Sequence, residues 1–405
     1  MLTIMSDNIE LTENDFTEDR YARLRLITWW EQERIRDATI MVVGAGAIGN
    51  ELIKDLALLG VGRILVVDMD SIENSNLTRS VLFRAKDVGR FKAEVAAERA
   101  IEMNPDIKAK ALTLNIIDDI GLGVFRRVSL VLGGLDNREA RLAINQSCYK
   151  VNKPWIDGAI EVLNGFARVF TPPDGACYEC TMTEIDWKLI NKRKSCALLT
   201  NEQMAEGKIP TTPTSSAVIA GVQVQEMLKL LHSDRNLPTL AGKCYVFNGL
   251  THDSYVVEYQ RKPDCMSHDT YESISEMPWS VHSLTLAELV RDVKTDLGEN
   301  AVVDFDRDFA SDAVCSCGER KELFAPIHSL RAENILCHKC GATMNFERFH
   351  SLDGTEAFLD KTAGEIGVPP LHIVSGRVGT TSKHYEFSAD EAEIFSDFNQ
   401  GGQRQ

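Results

Sequence analysis

The chain lacks any run of about 18 apolar residues, the length a membrane-spanning helix needs. It also lacks a cationic surplus: 44 Lys and Arg stand against 60 Asp and Glu, a formal charge of −16. A general grip on nucleic-acid phosphates needs a basic surface, so neither nucleic acid nor a membrane is an expected partner. The opening MLTIMSDNIELTENDFTEDR has no basic segment followed by an apolar core. No secretory signal is read there, and a cytoplasmic location is expected. No internal repeat and no long low-complexity linker interrupts the chain. What is present in number is cysteine, ten residues. In a cytoplasmic protein these are expected to ligate metal, act as nucleophiles or pack in a core rather than form disulfides. A length of 405 residues exceeds one small core and suggests two or three domains.

Residues 20–36, RYARLRLITWWEQERIR, read as an amphipathic arm, and 1–36 is assigned to it. TIMVV (Thr39 to Val43) is a short apolar run ending in glycines and reads as a buried parallel strand. A helix is expected from about Ala47 to Leu59, then a strand in RILVVD, and another in SLVLGG. PWIDGAIEVLNGFARVF alternates and reads as antiparallel strands; SSAVIAGVQVQEMLKLLH, from Ser215, reads as a helix. Strands alternating with helices give an α/β domain over 37–270. After about Tyr271 the chain changes character, and 271–405 is taken as a separate C-terminal domain with an acidic tail.

Gly44-Ala-Gly46-Ala-Ile-Gly49 follows a strand and opens a helix. Glycines there let the backbone turn tightly and approach phosphates, whose charge the helix N-terminus favours. Asp68 ends the next strand, placed to accept hydrogen bonds from a ribose. Alone, this pattern reads as NAD binding. The continuation differs. VVDMDSIENSNLTRS adds Asp70, Asn76 and Arg79, VGRFKAEVA adds Lys92, and LDNREAR places Asp136, Asn137 and Arg141 after another apolar strand. Cations that converge on phosphates beside a strand-end carboxylate suit nucleotidyl transfer, in which pyrophosphate leaves and a carboxylate can hold Mg2+.

These segments, with CYEC, resemble the ThiF/MoeB superfamily, which includes the ubiquitin-activating enzymes. The likeness spans about residues 20–270. It implies a Rossmann-like adenylation domain with a mixed, largely parallel sheet. The smaller C-terminal α+β domain would carry a zinc ribbon-like cluster. It also implies that Asp68, Asn76, Arg79 and Lys92 bind ATP, that Asp136 holds the catalytic Mg2+, and that Arg23 reaches the partner subunit's ATP site. The family's RYxRQ reads RYARL here, with Leu24 in place of Gln. The resemblance also implies a homodimer or a heterodimer, the usual forms in the family, with ATP sites near the subunit interface. A homodimer is expected, since nucleotide motifs and zinc ligands share one chain.

Cys177 and Cys180 form a C-x2-C pair, and Cys265 and His268 a C-x2-H pair nearly 90 residues later. Together they make a Cys3His set that zinc accepts. The family commonly has a second C-x2-C pair at the later position. Cys315-x-Cys317 and Cys337-x2-Cys340 make a second set, each pair followed by glycine; a redox dithiol is the rival reading, and His338 is an alternative ligand. Cys148 and Cys244 sit in apolar patterns and read as core. Cys196 lies in KRKSCALLT, where cations favour the thiolate; the resemblance implies a cysteine in this crossover loop, which in several family members takes up the acyl group as a thioester. Cys180, followed by Thr181, competes for the nucleophile's role, and a mechanism with no covalent cysteine stays open.

The sequence is therefore read as an enzyme that uses ATP to adenylate the C-terminal carboxylate of a ubiquitin-like protein. A thioester on Cys196 follows, for transfer to a conjugating enzyme or a sulfur acceptor. Its alternatives are a microcin C-type peptide adenylyltransferase without a thioester step and a sulfur-carrier activator for thiamin or molybdopterin. A zinc-stabilised scaffold without ATP chemistry and an NAD oxidoreductase are the readings outside adenylation.

Overall fold

The computed structural model describes residues 19–195 and 210–399. Eight strands form the first sheet: β1 (Thr39–Val43), β2 (Arg63–Val67), β3 (Lys108–Leu112), β4 (Leu130–Gly133), β5 (Trp155–Glu161), β6 (Asn164–Phe170), β7 (Lys243–Asn248) and β8 (Asp253–Glu258). Their order is β3-β2-β1-β4-β5-β6-β7-β8. Pairing is parallel from β3 to β5 and antiparallel from β5 to β8. Among the described residues the helices are α1 (Gln32–Asp37), α2 (Ala47–Leu59), α3 (Lys92–Met103), α4 (Leu122–Arg127), α5 (Arg138–Lys150), α6 (Tyr178–Thr181), α7 (Glu184–Ser195), α8 (Pro213–Leu231), α9 (Leu286–Leu297) and α10 (Glu391–Asn399). No described helix is long and apolar enough to cross a membrane.

All five residues of β1 are buried, because both faces of the sheet are covered. One face packs Ile40, Val42, Ile64 and Val66 against Leu52 and Leu56 of α2, Val95 and Ala96 of α3, and Ile219 and Met227 of α8. The other packs Met41, Val43, Leu65 and Val67 with Phe125 of α4 and Ile144 and Tyr149 of α5. α8 begins at Pro213, two residues before the expected Ser215. Thr212 is its N-cap, accepting from the Ser215 N–H, and proline is compatible with the first helical turn.

The second sheet consists of β9 (Ile274–Met277), β10 (Val302–Val314), β11 (Arg320–Pro326), β12 (Asn345–Leu352), β13 (Ile373–Val378) and β14 (Thr381–Phe387). Its order is β11-β10-β13-β14-β9, with β12 also paired to β10. α9 covers it with Leu286, Leu289 and Val293, and a Thr285–Glu288 capping box fixes its start. The C-terminal region thus has its own core. It also completes the first one: Leu371, Ile373, Ile394, Phe395 and Phe398 belong to the cluster on the α4–α5 face. The Gly123 N–H donates to the Leu371 carbonyl at 2.8 Å, and a Cβ at Gly121 would collide with the 370–372 backbone. Glu386, fully buried, takes both Arg126 (Nε at 2.8 Å) and Arg127.

Two cations facing one buried carboxylate make that carboxylate costly to lose. Glu386→Gln is expected to lower stability by about 3 kcal/mol, because it leaves two partly buried guanidiniums short of charge. Chemical denaturation checks this; a loss below about 1 kcal/mol would count against a tight seam between the two sheets.

Candidate functional site

The chain runs from β1 to β2 and β3 on one side, then returns to β4 on the other. Open parallel sheets place their binding crevice at such a reversal, beyond the carboxyl ends of the strands. Two expected groups of residues meet there. Gly44 follows β1 and donates its N–H to the Val67 carbonyl, while Gly134, after β4, donates to that of Val43. Gly44 has φ +89°, and a Cβ there would lie 2.6 Å from the Gly134 carbonyl oxygen. A Cβ on Gly49 would overlap the Gly44 carbonyl, whereas one on Gly46 would meet nothing within 4 Å. Gly44 and Gly49 are therefore needed for packing, and Gly46 faces open space.

Asp68 leaves the end of β2. Its carboxylate accepts from the Ala45 N–H at 2.6 Å and the Asp70 N–H at 2.8 Å, so it is tied to the glycine loop. Burial raises this carboxyl above its ordinary value, against the pull of Lys92 and the two N–H groups. Lys92 opens α3 and pairs with the exposed Asp70 at 2.8 Å. Asn76 and Arg79 share one turn: Asn76 Oδ1 accepts from the Glu73 N–H, and Arg79 Nη1 donates to the Ser75 carbonyl at 2.7 Å. This turn leads to Leu82, whose N–H donates to Asn50 Oδ1. Asn50 Nδ2 in turn donates to the Ala45 and Gly46 carbonyls.

Asp136 is exposed two residues past Gly134, on the β4 side of the crevice. Asn137 caps α5, accepting from the Ala140 N–H at 2.7 Å. Arg141 does not join the cations of the crevice, as its spacing suggested. It is buried, donates to the Leu135 carbonyl, and pairs with Asp157 at 2.9 Å. Asp157, itself fully buried, also takes Arg168, which stacks on Phe166 and Tyr178. A charge can be buried this deeply because both oxygens are met by guanidinium donors.

Arg23 is exposed and stands apart from its own crevice. The neighbouring Tyr21 accepts from Asn104 Nδ2 at 2.8 Å and lies against Gly60, at the C-terminal ends of α3 and α2. The glycine loop is at the other end of α2, about 20 Å away for a 13-residue helix. Cys196 lies outside the described residues.

The two cysteine sets converge. Cys177 Sγ lies 3.7 Å from Cys180 Sγ and 3.5 Å from Cys265 Sγ, and Cys180 Sγ lies 3.3 Å from His268 Nε2. In the second set, Cys315–Cys340 and Cys317–Cys337 are 3.4 and 3.7 Å apart. In each set the four ligand atoms fall within 4.8 Å of one another. These separations exceed the roughly 2 Å of a disulfide and approach the edges, about 3.8 Å, of a tetrahedron with Zn–S near 2.3 Å. Either set could hold a metal. His338 is exposed and lies beside Glu319, outside the second set. Cys148 and Cys244 are buried.

A sequence model of the ThiF family matches residues 18–267. The chain belongs to the ThiF family. It is similar to ubiquitin-like modifier-activating enzyme 5 of Arabidopsis thaliana, at 31% identity over 49% of this chain and 48% of the relative. It is also similar to the sulfur carrier protein adenylyltransferase of Thermus thermophilus, at 32% over 58% and 83%. The chain spans about half the length of the activating enzymes it matches. Among solved structures, E. coli MccB with ATP matches with a TM-score of 0.53 and 26% identity, over 63% of this chain and 75% of that one.

Within this ThiF-family fold, several residues that shape the crevice were not singled out from sequence. Gln223 of α8, fully buried, donates to the Gly133 and Ile156 carbonyls at 2.9 and 3.1 Å, fastening β4 to β5. The signal for Asp157 was a carboxylate inside an apolar strand; Asn50 and Gln223 gave only an amide on a helix.

The glycines offer a direct check. Gly49→Ala is expected to destabilise by about 3 kcal/mol, since backbone on both sides must shift. Gly46→Ala should keep the wild-type melting temperature. Equal thermal shifts for the two variants would contradict the packing described.

Proposed function

We propose that this protein uses ATP to adenylate the C-terminal carboxylate of a ubiquitin-like protein. The observation that carries the reading is the crevice itself. A glycine loop at a helix N-terminus, a ribose-height carboxylate (Asp68), a cation (Lys92) and an exposed carboxylate (Asp136) meet at the reversal between β1 and β4. Gly44, Gly46 and Gly49 would let backbone N–H groups approach the phosphates. Lys92 and Arg79 would offset their charge, with Asp70 holding Lys92 until nucleotide arrives. Asn76 and Asn137 would line the two sides. Asp136 would hold Mg2+, which neutralises charge on the leaving pyrophosphate. The substrate carboxylate attacks the α-phosphorus, the bond to the β-phosphate oxygen breaks, and acyl-adenylate and pyrophosphate form.

The next step in this reading belongs to Cys196. Its thiolate attacks the acyl carbon, AMP leaves, and a thioester forms for handover to a conjugating enzyme or a sulfur acceptor. Cys180 is a poorer candidate because its sulfur faces Cys177 and His268. Cys177, Cys180, Cys265 and His268 would hold one Zn2+, and Cys315, Cys317, Cys337 and Cys340 another. Both sets are four-ligand and so structural in character. In a homodimer, Arg23 would serve the partner's crevice, which its distance from its own supports. A second reading, adenylation of a peptide without a thioester, draws support from the likeness to E. coli MccB, solved with ATP and with MccA.

ATP–pyrophosphate exchange with candidate ubiquitin-like proteins tests the first reading. Wild type is expected to exchange, and Asp136→Ala to lose at least about 100-fold. Cys196→Ala should keep exchange and lose a reductant-sensitive adduct. Exchange driven by a short peptide, with no adduct, would favour the second reading; no exchange with either would sink both.

Metal analysis should find two zinc ions per chain, and Cys177→Ser or Cys315→Ser should each remove one. Unchanged zinc content in either variant would remove that ligand assignment.

A further inference from the structure

We propose that Arg307, from the C-terminal sheet, is a positioning residue for nucleotide binding, and that through it this sheet forms part of the base-side wall of the crevice. The inference rests on reading the crevice as an ATP site. The strand order sets the geometry. A nucleotide with its phosphates at the Gly44–Gly49 loop after β1 and its ribose at Asp68 after β2 directs its base toward the segment after β3. That segment, residues 113–121, begins beside Asp68, whose N–H donates to the Leu112 carbonyl at 3.1 Å.

The segment has no regular structure and is held by side chains. Asn115 Oδ1 accepts from the Ile117 N–H at 3.0 Å, and Asp119 Oδ2 accepts from the Asn115 N–H at 2.9 Å. Its outer side is fixed from 190 residues away: Arg307 Nη1 donates to the Ile117 carbonyl at 3.2 Å and the Asp118 carbonyl at 3.0 Å. The Arg307 charge also faces Asp118, a buried residue whose carboxyl burial raises to about 6 while Arg307 opposes the rise.

Arg307 is held in turn. Its Nε donates to Asp306 Oδ1 at 3.0 Å. The Asp306 side chain is only 10% exposed, although its backbone faces solvent. It also meets His372 Nε2 at 3.1 Å and Lys150 Nζ at 3.3 Å. Burial opposes the Asp306 charge, yet these three groups hold its carboxyl well below the usual carboxylate range. Lys150 ends α5, the helix whose N-terminal end carries Asn137 and follows Asp136. One buried carboxylate therefore orients the clamp on the base-side segment and the far end of the helix behind Asp136. A shared network of this kind fixes geometry because loss of one member leaves the others unpaired.

The test uses full-length protein and two readouts: ATP affinity by titration calorimetry with Mg2+ present, and melting temperature. Arg307→Ala is expected to weaken ATP binding about tenfold, the effect of losing two charge-assisted bonds to the segment. Arg307→Lys keeps charge beside Asp306 but not the forked donor, so it should recover melting temperature more than ATP affinity. Glu386→Gln, which loosens the same seam elsewhere, should lower the melting temperature and leave ATP affinity within twofold. If Arg307→Ala does not fold, Arg307→Lys decides. Wild-type ATP affinity in a folded Arg307 variant would overturn the proposal while leaving the ATP reading intact. No ATP binding by the wild type would overturn the ATP reading first.

Discussion

Where β1 ends, the backbones of Gly44, Gly49 and Gly134 pass so closely that a Cβ on Gly44 would sit 2.6 Å from the Gly134 carbonyl oxygen and one on Gly134 2.9 Å from the Gly49 nitrogen. This contact closes the glycine loop onto the end of β4. It brings the residues after β2, Asp68 and Asp70, to the same crevice as Asp136, although they are far apart in sequence. Asn50 holds the loop from behind through two carbonyls, and Gln223 holds the end of β4. The crevice is thus assembled mainly by backbone, with the exposed Asp136 on one side and the largely covered Lys92 side chain, paired to Asp70, on the other.

α5 ties the remaining parts together. Asn137 caps its start beside Asp136. Further along, Asn145 accepts from the Tyr178 N–H within the Cys177–Cys180 turn, and the Tyr149 ring lies 5.5 Å from that of His268. At its end Lys150 enters the Asp306 cluster. One helix therefore touches the crevice, the first cysteine set and the C-terminal sheet. A metal that orders the cysteine turn would steady the same helix, which gives a structural role to a site remote from the chemistry.

Much of this was legible in the sequence for a physical reason. The β1 run and the glycines after it must be local, since a buried strand and a tight turn each need consecutive residues. Both cysteine sets converge, and their members can be read from short spacings such as C-x2-C and C-x2-H. Residues whose role depends on a distant partner were misread or unseen. Arg141 looked like a phosphate ligand because its spacing follows Asp136, but the buried Asp157 claims it. The C-terminal region, marked by a change in composition, read as separate. Leu371, Phe395 and Glu386 pack into the first core through contacts of well over 100 residues in sequence, which no local pattern records. Cys196 lies outside the described residues, and its role stays with the chemistry of its basic neighbours.

The central claim is that the crevice transfers an AMP group rather than a phosphate or a hydride. Nucleotide product analysis after a single turnover, with enzyme, ATP, Mg2+ and a ubiquitin-like protein ending in glycine, tests it most directly. The account predicts AMP and pyrophosphate in equal amounts once the adenylate is resolved by thiol. ADP with phosphate, or intact ATP alongside bound nicotinamide cofactor, would contradict it.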